Sequence, residues 1–374
     1  MEERARFVLA YESGTYQMTE LCRRYGISRQ CGYKWWQRYE QEGLEGLGDR
    51  SRAPQHSPQQ VSSEIVEALV RERKRYGWGG KKIVARLRDL EASRPWPAAA
   101  TADRYFRQHG LTQQRQRRRR GSQTARPQVV ATEPNQIWTA DFKGEFRLGN
   151  RQYCYPLTVM DSFSRYLLSC RSLASVARQG AGRVFDSLFR EYGLPAGILT
   201  DNGVPFGQPS SLGRLSRLSV WWIKLGIVPI RIQPGHPEQN ASHERMHREL
   251  KKETTRPPQS DMKSQQRCFD QFRKRYNEER PHEGLLMKRP VQLYDLSQRR
   301  YHGGTVQVQY PGHYEVRKVS HAGAIRWNTV RIFLTTVLAY EYVGLEALDD
   351  GIWSIYFGNH FLARLDERSS MLYT

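Results

Sequence analysis

With 374 residues, 59 Lys and Arg against 38 Asp and Glu and a net charge of +21, the chain is strongly basic and too long for one ordinary domain. A hydrophobic content of 38% with nine Trp excludes global disorder. No apolar run approaches the roughly 20 residues that a bilayer-spanning helix needs, so nucleic acid rather than membrane is the polyanion implied. The start, Met1-Glu2-Glu3-Arg4, lacks a charged-then-apolar export pattern, so the cytosol is the expected compartment. The cysteines Cys22, Cys31, Cys154, Cys170 and Cys268 form no Cys-x-x-Cys pair, so buried small residues are expected rather than disulfides or zinc ligands.

Residues 1–52 read as a helix-turn-helix module. A helix over Glu3–Tyr11 breaks at Ser13-Gly14, a second covers Met18–Tyr25 and stops at Gly26, and Ser28 caps a third over Arg29–Tyr39. Ile27, Cys31 and Trp35 recur every four residues and should face the core. Arg29, Gln30, Tyr33, Lys34 and Gln37 should face outward, where side chains reach bases and phosphates. After the Pro-bearing linker around Pro54 and Pro58, residues 60–112 give a second module of this kind. Its helices are expected from Ser62 or Ser63 to Tyr76, over Lys81–Leu90 and over Ala100–His109. Residues 113–133 form a basic linker whose Arg115, Arg117, Arg118, Arg119 and Arg120 should lie along a phosphate backbone.

The pattern over 134–257 is strand Gln136–Phe146, strand Cys154–Asp161, strand Tyr166–Ser172 and helix Ala174–Tyr192. Strand Gly197–Thr200, helix Ser211–Leu225, strand Val228–Ile232 and helix Asn240–Thr254 follow. Short turns among the first three strands predict an antiparallel meander, and the later alternation predicts parallel additions with helices on both faces. A helical extension (258–299) carries Tyr276-Asn277 and Arg280-Pro281-His282. Seven short runs within 300–374, beginning at Val306–Tyr310, predict a small SH3-like β-barrel. There Lys318, Arg326 and Arg331 are available for DNA or subunit contacts, although a purely structural cap fits as well. The predicted fold class is thus multidomain: all-α helix-turn-helix modules, a central α/β mixed sheet and a C-terminal small barrel.

Three carboxylates stand out against this basic background. Asp141 lies within the first strand on the Ile137/Thr139 face, Asp201 ends the Ile198-Leu199-Thr200 strand, and Glu244 opens the last core helix. If the first and fourth strands are neighbours and that helix crosses them, the three converge. Acids so placed repel one another unless cations sit between them, and oxygen donors select Mg²⁺ or Mn²⁺, with two ions suited to phosphodiester chemistry. Arg245, Arg248, Lys251 and Lys252 would hold the backbone phosphates. Taken singly, each acid has a blander reading as a turn former or surface pair; the order and contexts of all three favour catalysis. Glu238, Glu249 and Glu253 are reserve candidates for the third acid. His236, His243, His247 and His282 lack the spacing of a His/Cys metal site and read as exposed or phosphate-contacting imidazoles.

The stretches Trp138–Gly144, Asp161-Ser162-Phe163-Ser164-Arg165, Leu199-Thr200-Asp201-Asn202-Gly203, Pro234-Gly235-His236-Pro237 through Arg248, and Tyr276-Asn277 with Arg280-Pro281-His282 carry a resemblance. Together they resemble the integrase-core transposases of bacterial insertion sequences, in the acidic-triad, ribonuclease-H-like superfamily, over nearly the whole chain. The resemblance implies that Asp141, Asp201 and Glu244 bind metal and catalyse, that Asn202 supports Asp201, and that Asp161 is structural. It further implies a DNA transposase that binds the terminal inverted repeats of its element and performs metal-dependent cleavage and strand transfer by 3′-hydroxyl attack. The partners would be double-stranded DNA and further copies of the chain, at least a dimer. The chain departs from the family in having helix-turn-helix units where retroviral relatives carry a zinc module, and Ala241 where similar transposases often have Gly. Its second and third acids are also widely spaced, which an insertion around Pro205–Arg214 would explain. The alternative is a catalytically silent repressor or domesticated copy that keeps the DNA-reading arm.

Overall fold

The computed structural model describes residues 2–50, 60–112, 130–208, 211–233 and 236–373. The chain forms two compact units, Met1–Ser62 and Ser63–Thr374. The Arg115–Arg120 cluster and the Pro54/Pro58 linker lie outside the described residues.

In the first unit, α1 (Glu2–Glu12), α2 (Met18–Arg24) and α3 (Arg29–Glu42) surround Phe7, Val8, Met18, Leu21, Cys22 and Leu47. Gly26, at φ 65°, makes the left-handed turn between α2 and α3, and Ser28 Oγ accepts the Cys31 N–H at 3.2 Å to cap α3. The innermost residue of α3 is Gly32, not a member of the expected Ile27/Cys31/Trp35 stripe. A Cβ there would meet Cys22 Sγ at 2.6 Å and Met18 Sδ at 2.9 Å, so glycine lets α3 approach α2 closely. Ile27 and Trp35 pack at the margin, with Arg4 over the Trp35 ring at 3.9 Å. Arg29, Gln30, Tyr33, Lys34 and Gln37 are all exposed, as their spacing predicts.

The second unit opens with α4 (Ser63–Tyr76), α5 (Gly80–Leu90) and α6 (Ala99–Gln108), whose buried Ile65, Leu69, Ile83, Val84, Leu87 and Phe106 follow helical spacing. Asp103 on α6 accepts the Gly80 N–H at 2.8 Å, satisfying a donor at the α5 start. Arg86 reaches Glu72 at 3.3 Å and Glu279 at 3.5 Å, and Tyr76 donates to Glu279 at 2.6 Å. These bonds tie the helical module to the segment that follows the sheet.

That sheet contains β1 (Ile137–Phe142), β2 (Phe146–Arg147), β3 (Tyr153–Asp161), β4 (Leu167–Leu173), β5 (Gly197–Thr200) and β6 (Val228–Arg231). Its order is β2-β3-β1-β5-β6, with β4 on the other side of β3. The β1, β3 and β4 pairings are antiparallel and the β1–β5 and β5–β6 pairings parallel, the predicted meander with parallel additions. The first strand is shorter than expected and breaks around Gly144 into β1 and β2. On one face, α7 (Arg178–Tyr192) and α8 (Arg217–Lys224) bury Phe185, Phe189 and Trp222 against Trp138, Ala140 and Ile198. On the other, α9 (Ala241–Thr254) and α10 (Met262–Lys274) bury Met246, Leu250, Phe269 and Phe272 against Met160, Leu167 and Cys170. The helix expected from Ser211 begins only at Arg217, because Gly213, at φ 62°, interrupts it.

The Tyr276-Asn277 and Arg280-Pro281-His282 motifs lock this second layer. Asn277 imitates a strand neighbour, accepting the Leu167 N–H at 2.8 Å and donating to the Leu167 carbonyl at 3.0 Å. Arg280 pairs with Glu249 at 2.9 Å and Glu253 at 3.5 Å, which removes both reserve acids from candidacy for the cluster. The side chain of Glu238 lies outside the described set. His282 is buried beside Tyr276, and burial pulls its pKa down to about 3. The folded state therefore favours the neutral ring, and the unfolded chain binds more protons between about pH 3 and 6.5. Stability from this residue is complete above pH 6.5 and is lost as pH falls toward 3, by about 1.4 kcal/mol per pH unit. His282→Gln is expected to remove that component, so urea midpoints measured at pH 7 and pH 5 should differ less in the variant than in the wild type.

Beyond α10 the expected helical extension continues only as short turns, broken by left-handed Leu286 and Met287 and by Pro281 and Pro290. The C-terminal region departs further from expectation. Here β7 (Glu315–Lys318), β10 (Tyr342–Asp349), β11 (Ile352–Phe357), β12 (His360–Asp366) and β13 (Met371–Tyr373) form an antiparallel sheet in the order β13-β12-β11-β10-β7. A separate ribbon is made by β8 (Ala324–Trp327) and β9 (Val330–Phe333). Among the described residues, β7 and β13 do not pair, so this is an open sheet with a ribbon over a shared core and not a closed SH3-like barrel. Val306–Tyr310 is not a strand; Tyr310 instead donates to the Tyr342 carbonyl at 2.8 Å. Lys318, Arg326 and Arg331 are exposed. Ser211 and Gly213 dock here, Ser211 on Thr335 at 2.9 Å and the Gly213 carbonyl on His360 at 3.1 Å.

Candidate active site

Strand register brings the first two acids together. Thr139 on β1 lies beside Leu199 on β5 in the parallel pairing. Two residues further along each strand, at the carboxyl end of β5, come Asp141 and Asp201. The third acid arrives on α9, whose buried stripe of His243, Met246, His247, Leu250 and Thr254 holds the helix against β1, β3 and β4. Glu244 sits in the first turn of α9 and Lys251 and Lys252 in its last, an arrangement favoured by the helix dipole.

One ligand atom from each of Asp141, Glu244 and His247 lies within 4.8 Å of the others, a spacing able to hold a metal ion. Asp201 stands outside that tight group, yet close enough to act on Asp141. Burial first, and then the Asp201 and Glu244 charges, push the Asp141 pKa up to about 7, against a smaller opposing effect of Lys143. Asp201 accepts the Gly203 N–H at 3.1 Å, which holds the carboxylate at the turn. Asn202 donates to the Ile232 carbonyl at 3.0 Å, and its own carbonyl oxygen is buried without a partner among the described residues.

Several determinants around the acids escape a reading of the sequence. His243 is wholly buried, with Nδ1 at 2.7 Å from Thr139 Oγ1 and Nε2 at 2.7 Å from Thr158 Oγ1. His247, 1% exposed, sets Nε2 at 2.7 Å from the same Thr158 hydroxyl and Nδ1 at 3.5 Å from Asp141. Burial pulls the His243 pKa down to about 3 and pulls that of His247 further down, so both rings are neutral. The expectation of exposed or phosphate-contacting imidazoles therefore fails for His243, His247 and His282, and holds for exposure only at His236. The available signal was the helical spacing of His243 and His247 with Met246 and Leu250, which puts both rings on the inward stripe. Arg231 on β6 is a second such determinant. It donates to the Asp201 carbonyl at 3.1 Å and the Phe206 carbonyl at 2.6 Å, pinning the chain after Asp201.

Asp161, buried opposite Trp138 in the β1–β3 ladder, serves structure. Its carboxylate accepts from Asn135 N at 2.8 Å, Ser164 N at 2.8 Å and Ser164 Oγ at 2.6 Å. Arg245, Arg248 and Lys251 are exposed on α9. A concavity of about 520 Å³ between α7 and α8, lined by Arg178, Arg183, Arg217 and Trp221, includes none of the acids.

Family models match along the chain in the same order: a helix-turn-helix domain at residues 3–55 and an integrase core domain at 131–237 and again at 225–290. A homeodomain-like model matches 31–106. The chain is 26% identical to the 31.7 kDa protein of insertion element IS407 from Burkholderia multivorans, over 64% of this chain and 82% of that one. It is likewise 26% identical to the 39.2 kDa protein of insertion element IS476 from Xanthomonas euvesicatoria, over 64% and 66%. Among solved structures, the HTLV-2 integrase catalytic core is 16% identical and aligns with 44% of this chain and 100% of its own, at a TM-score of 0.34. A simian T-cell lymphotropic virus intasome chain is 14% identical, over 75% and 98%, at a TM-score of 0.39. A helix-turn-helix domain followed by an integrase core, together with insertion-element relatives, supports an insertion-sequence transposase with an integrase catalytic core.

Proposed function

We propose that this chain is an active DNA transposase whose catalytic, metal-binding acids are Asp141, Asp201 and Glu244. The observation that carries this reading is the meeting of Asp141 and Glu244, from β1 and α9, with Asp201 near enough to raise the Asp141 pKa. The donor set suits Mg²⁺ or Mn²⁺, and two ions are expected. Bound there, such cations would activate the attacking oxygen and neutralise charge on the phosphodiester. Asn202, tied to the β6 edge, keeps the Asp201 turn in place. The exposed Arg245, Arg248 and Lys251 carry the DNA backbone along α9 toward the acids.

In the first step water cleaves a strand at the element's end and leaves a 3′-hydroxyl. That oxygen then attacks a target phosphorus: a new P–O bond forms, the old one breaks, and the departing target 3′-oxygen takes up a proton. The exposed face of α3, with Arg29, Gln30, Tyr33 and Lys34, reads the terminal inverted repeats, and Arg115 and Arg117–Arg120 add phosphate contacts. Two ends must be joined, so at least a dimer assembles on DNA. No helix among the described residues is long and apolar enough to cross a membrane; the proposed location is the cytoplasm, at the nucleoid.

A labelled end duplex incubated with protein and Mg²⁺ or Mn²⁺ should be nicked, and chelation should stop the nicking. Lys34→Ala should weaken end binding about tenfold while sparing metal-dependent nicking of a bound duplex at saturating protein. Equal loss of both would count against separate reading and cutting modules.

A further inference from the structure

We propose that His247 is a nitrogen ligand to the cation at Asp141 and Glu244, so that the centre is a mixed oxygen and nitrogen site and not an all-carboxylate one. This rests on the metal-centre reading above and deepens it. Glu244 and His247 are three residues apart on α9, which places both on one side of the helix. Thr158 determines which ring nitrogen is free. Its hydroxyl is within reach to donate to the Asp141 carbonyl at 3.0 Å. The hydroxyl oxygen can then only accept, and it lies 2.7 Å from Nε2 of both His243 and His247. With that hydrogen on the carbonyl, His247 donates through Nε2 to Thr158 and keeps the Nδ1 lone pair for a cation, the arrangement a metal-bound imidazole takes.

His247 Nδ1 lies 3.5 Å from Asp141 Oδ2, in a ring that is 1% exposed. No hydrogen bond to His247 Nδ1 is formed among the described residues. In the tautomer with the hydrogen on Nε2, Nδ1 and Oδ2 are both acceptors, and a cation between them satisfies both. The Thr158 bond to the remote nitrogen fixes ring orientation as the outer partners of metal-bound histidines do. His243 is not the ligand, because both its nitrogens are engaged, by Thr139 and Thr158. An imidazole in the set raises affinity for Mn²⁺ and Co²⁺ relative to Mg²⁺.

The test is electron spin-echo spectroscopy of the full-length protein with Mn²⁺ alone, prepared with natural and with ¹⁵N-labelled histidine. The proposal predicts nitrogen modulation that changes with the isotope in the wild type, disappears in His247→Gln and persists in His243→Gln. Mn²⁺ affinity should also weaken about 10- to 100-fold in His247→Gln. The labelled wild type reports imidazole ligation even if a variant fails to fold. Mn²⁺ that binds and is lost in Asp141→Asn, yet shows no nitrogen modulation, would overturn the histidine ligand and leave the three-acid centre standing. Modulation that survives His247→Gln would overturn it as well. A wild type that binds no Mn²⁺ would remove the metal centre and this proposal with it.

Discussion

Asp201→Asn is expected to bind an element-end duplex as the wild type does and to lower strand joining by on the order of 10³-fold. The amide keeps the size of the carboxylate, and its carbonyl oxygen can still accept the Gly203 N–H that holds the turn. Arg231 anchors the same turn through the Asp201 backbone carbonyl, which the substitution does not touch. What changes is one negative charge beside Asp141, so the loss falls on cation binding and not on folding. Asp141→Asn should be as damaging, because Asp141 is the acid that meets both Glu244 and His247. Gel-shift and joining assays on the same preparations check this. Joining within tenfold of wild type in Asp201→Asn would remove that residue from the centre.

The second large effect concerns stability. Asp161→Ala is expected to lower unfolding stability by about 3 kcal/mol or more, since it leaves the Asn135 and Ser164 backbone N–H groups and the Ser164 hydroxyl without their acceptor in a buried site. Asn135 also receives the Trp138 indole N–H at 3.0 Å and the Tyr294 hydroxyl at 2.9 Å, so the damage spreads to the β1 entry and the post-core segment. Denaturant titration should show an earlier midpoint or an insoluble protein. An unchanged midpoint would mean that water or another group replaces the carboxylate. Two aspartates on paired strands thus have opposite roles: Asp161 is saturated with donors, whereas Asp141 faces other acids and the buried His247 ring.

The contrast also explains how far the sequence could be read. Local signals placed the reading module, since Ser28, Gly26 and the charged face of α3 depend on near neighbours alone. Alternation along Ile137–Phe142 put Asp141 on the face opposite Trp138 and Ala140, while convergence with Asp201 stayed conditional on β1 and β5 being neighbours, which their parallel pairing supplies. The buried histidines were not legible in this way. A histidine on an inward stripe is satisfied or strained according to what the facing strands offer, and here the partners are Thr139 and Thr158, 104 and 85 residues from His243. The C-terminal region misled for a related reason. Short alternating runs identify strands but not closure, which depends on whether the first and last can pair, and β7 and β13 do not among the described residues. Gly213 and Gly144 shortened a helix and a strand that hydrophobic pattern alone would have continued.

The most direct test of the central claim is strand transfer in vitro, with a labelled duplex of the element's own end, a target plasmid and Mg²⁺ or Mn²⁺. The account predicts labelled plasmid with the wild type and none with Asp201→Asn or after chelation. Tight end binding with neither cleavage nor joining under either metal would contradict it, and would identify this chain as a DNA-binding member of its family that has lost the chemistry.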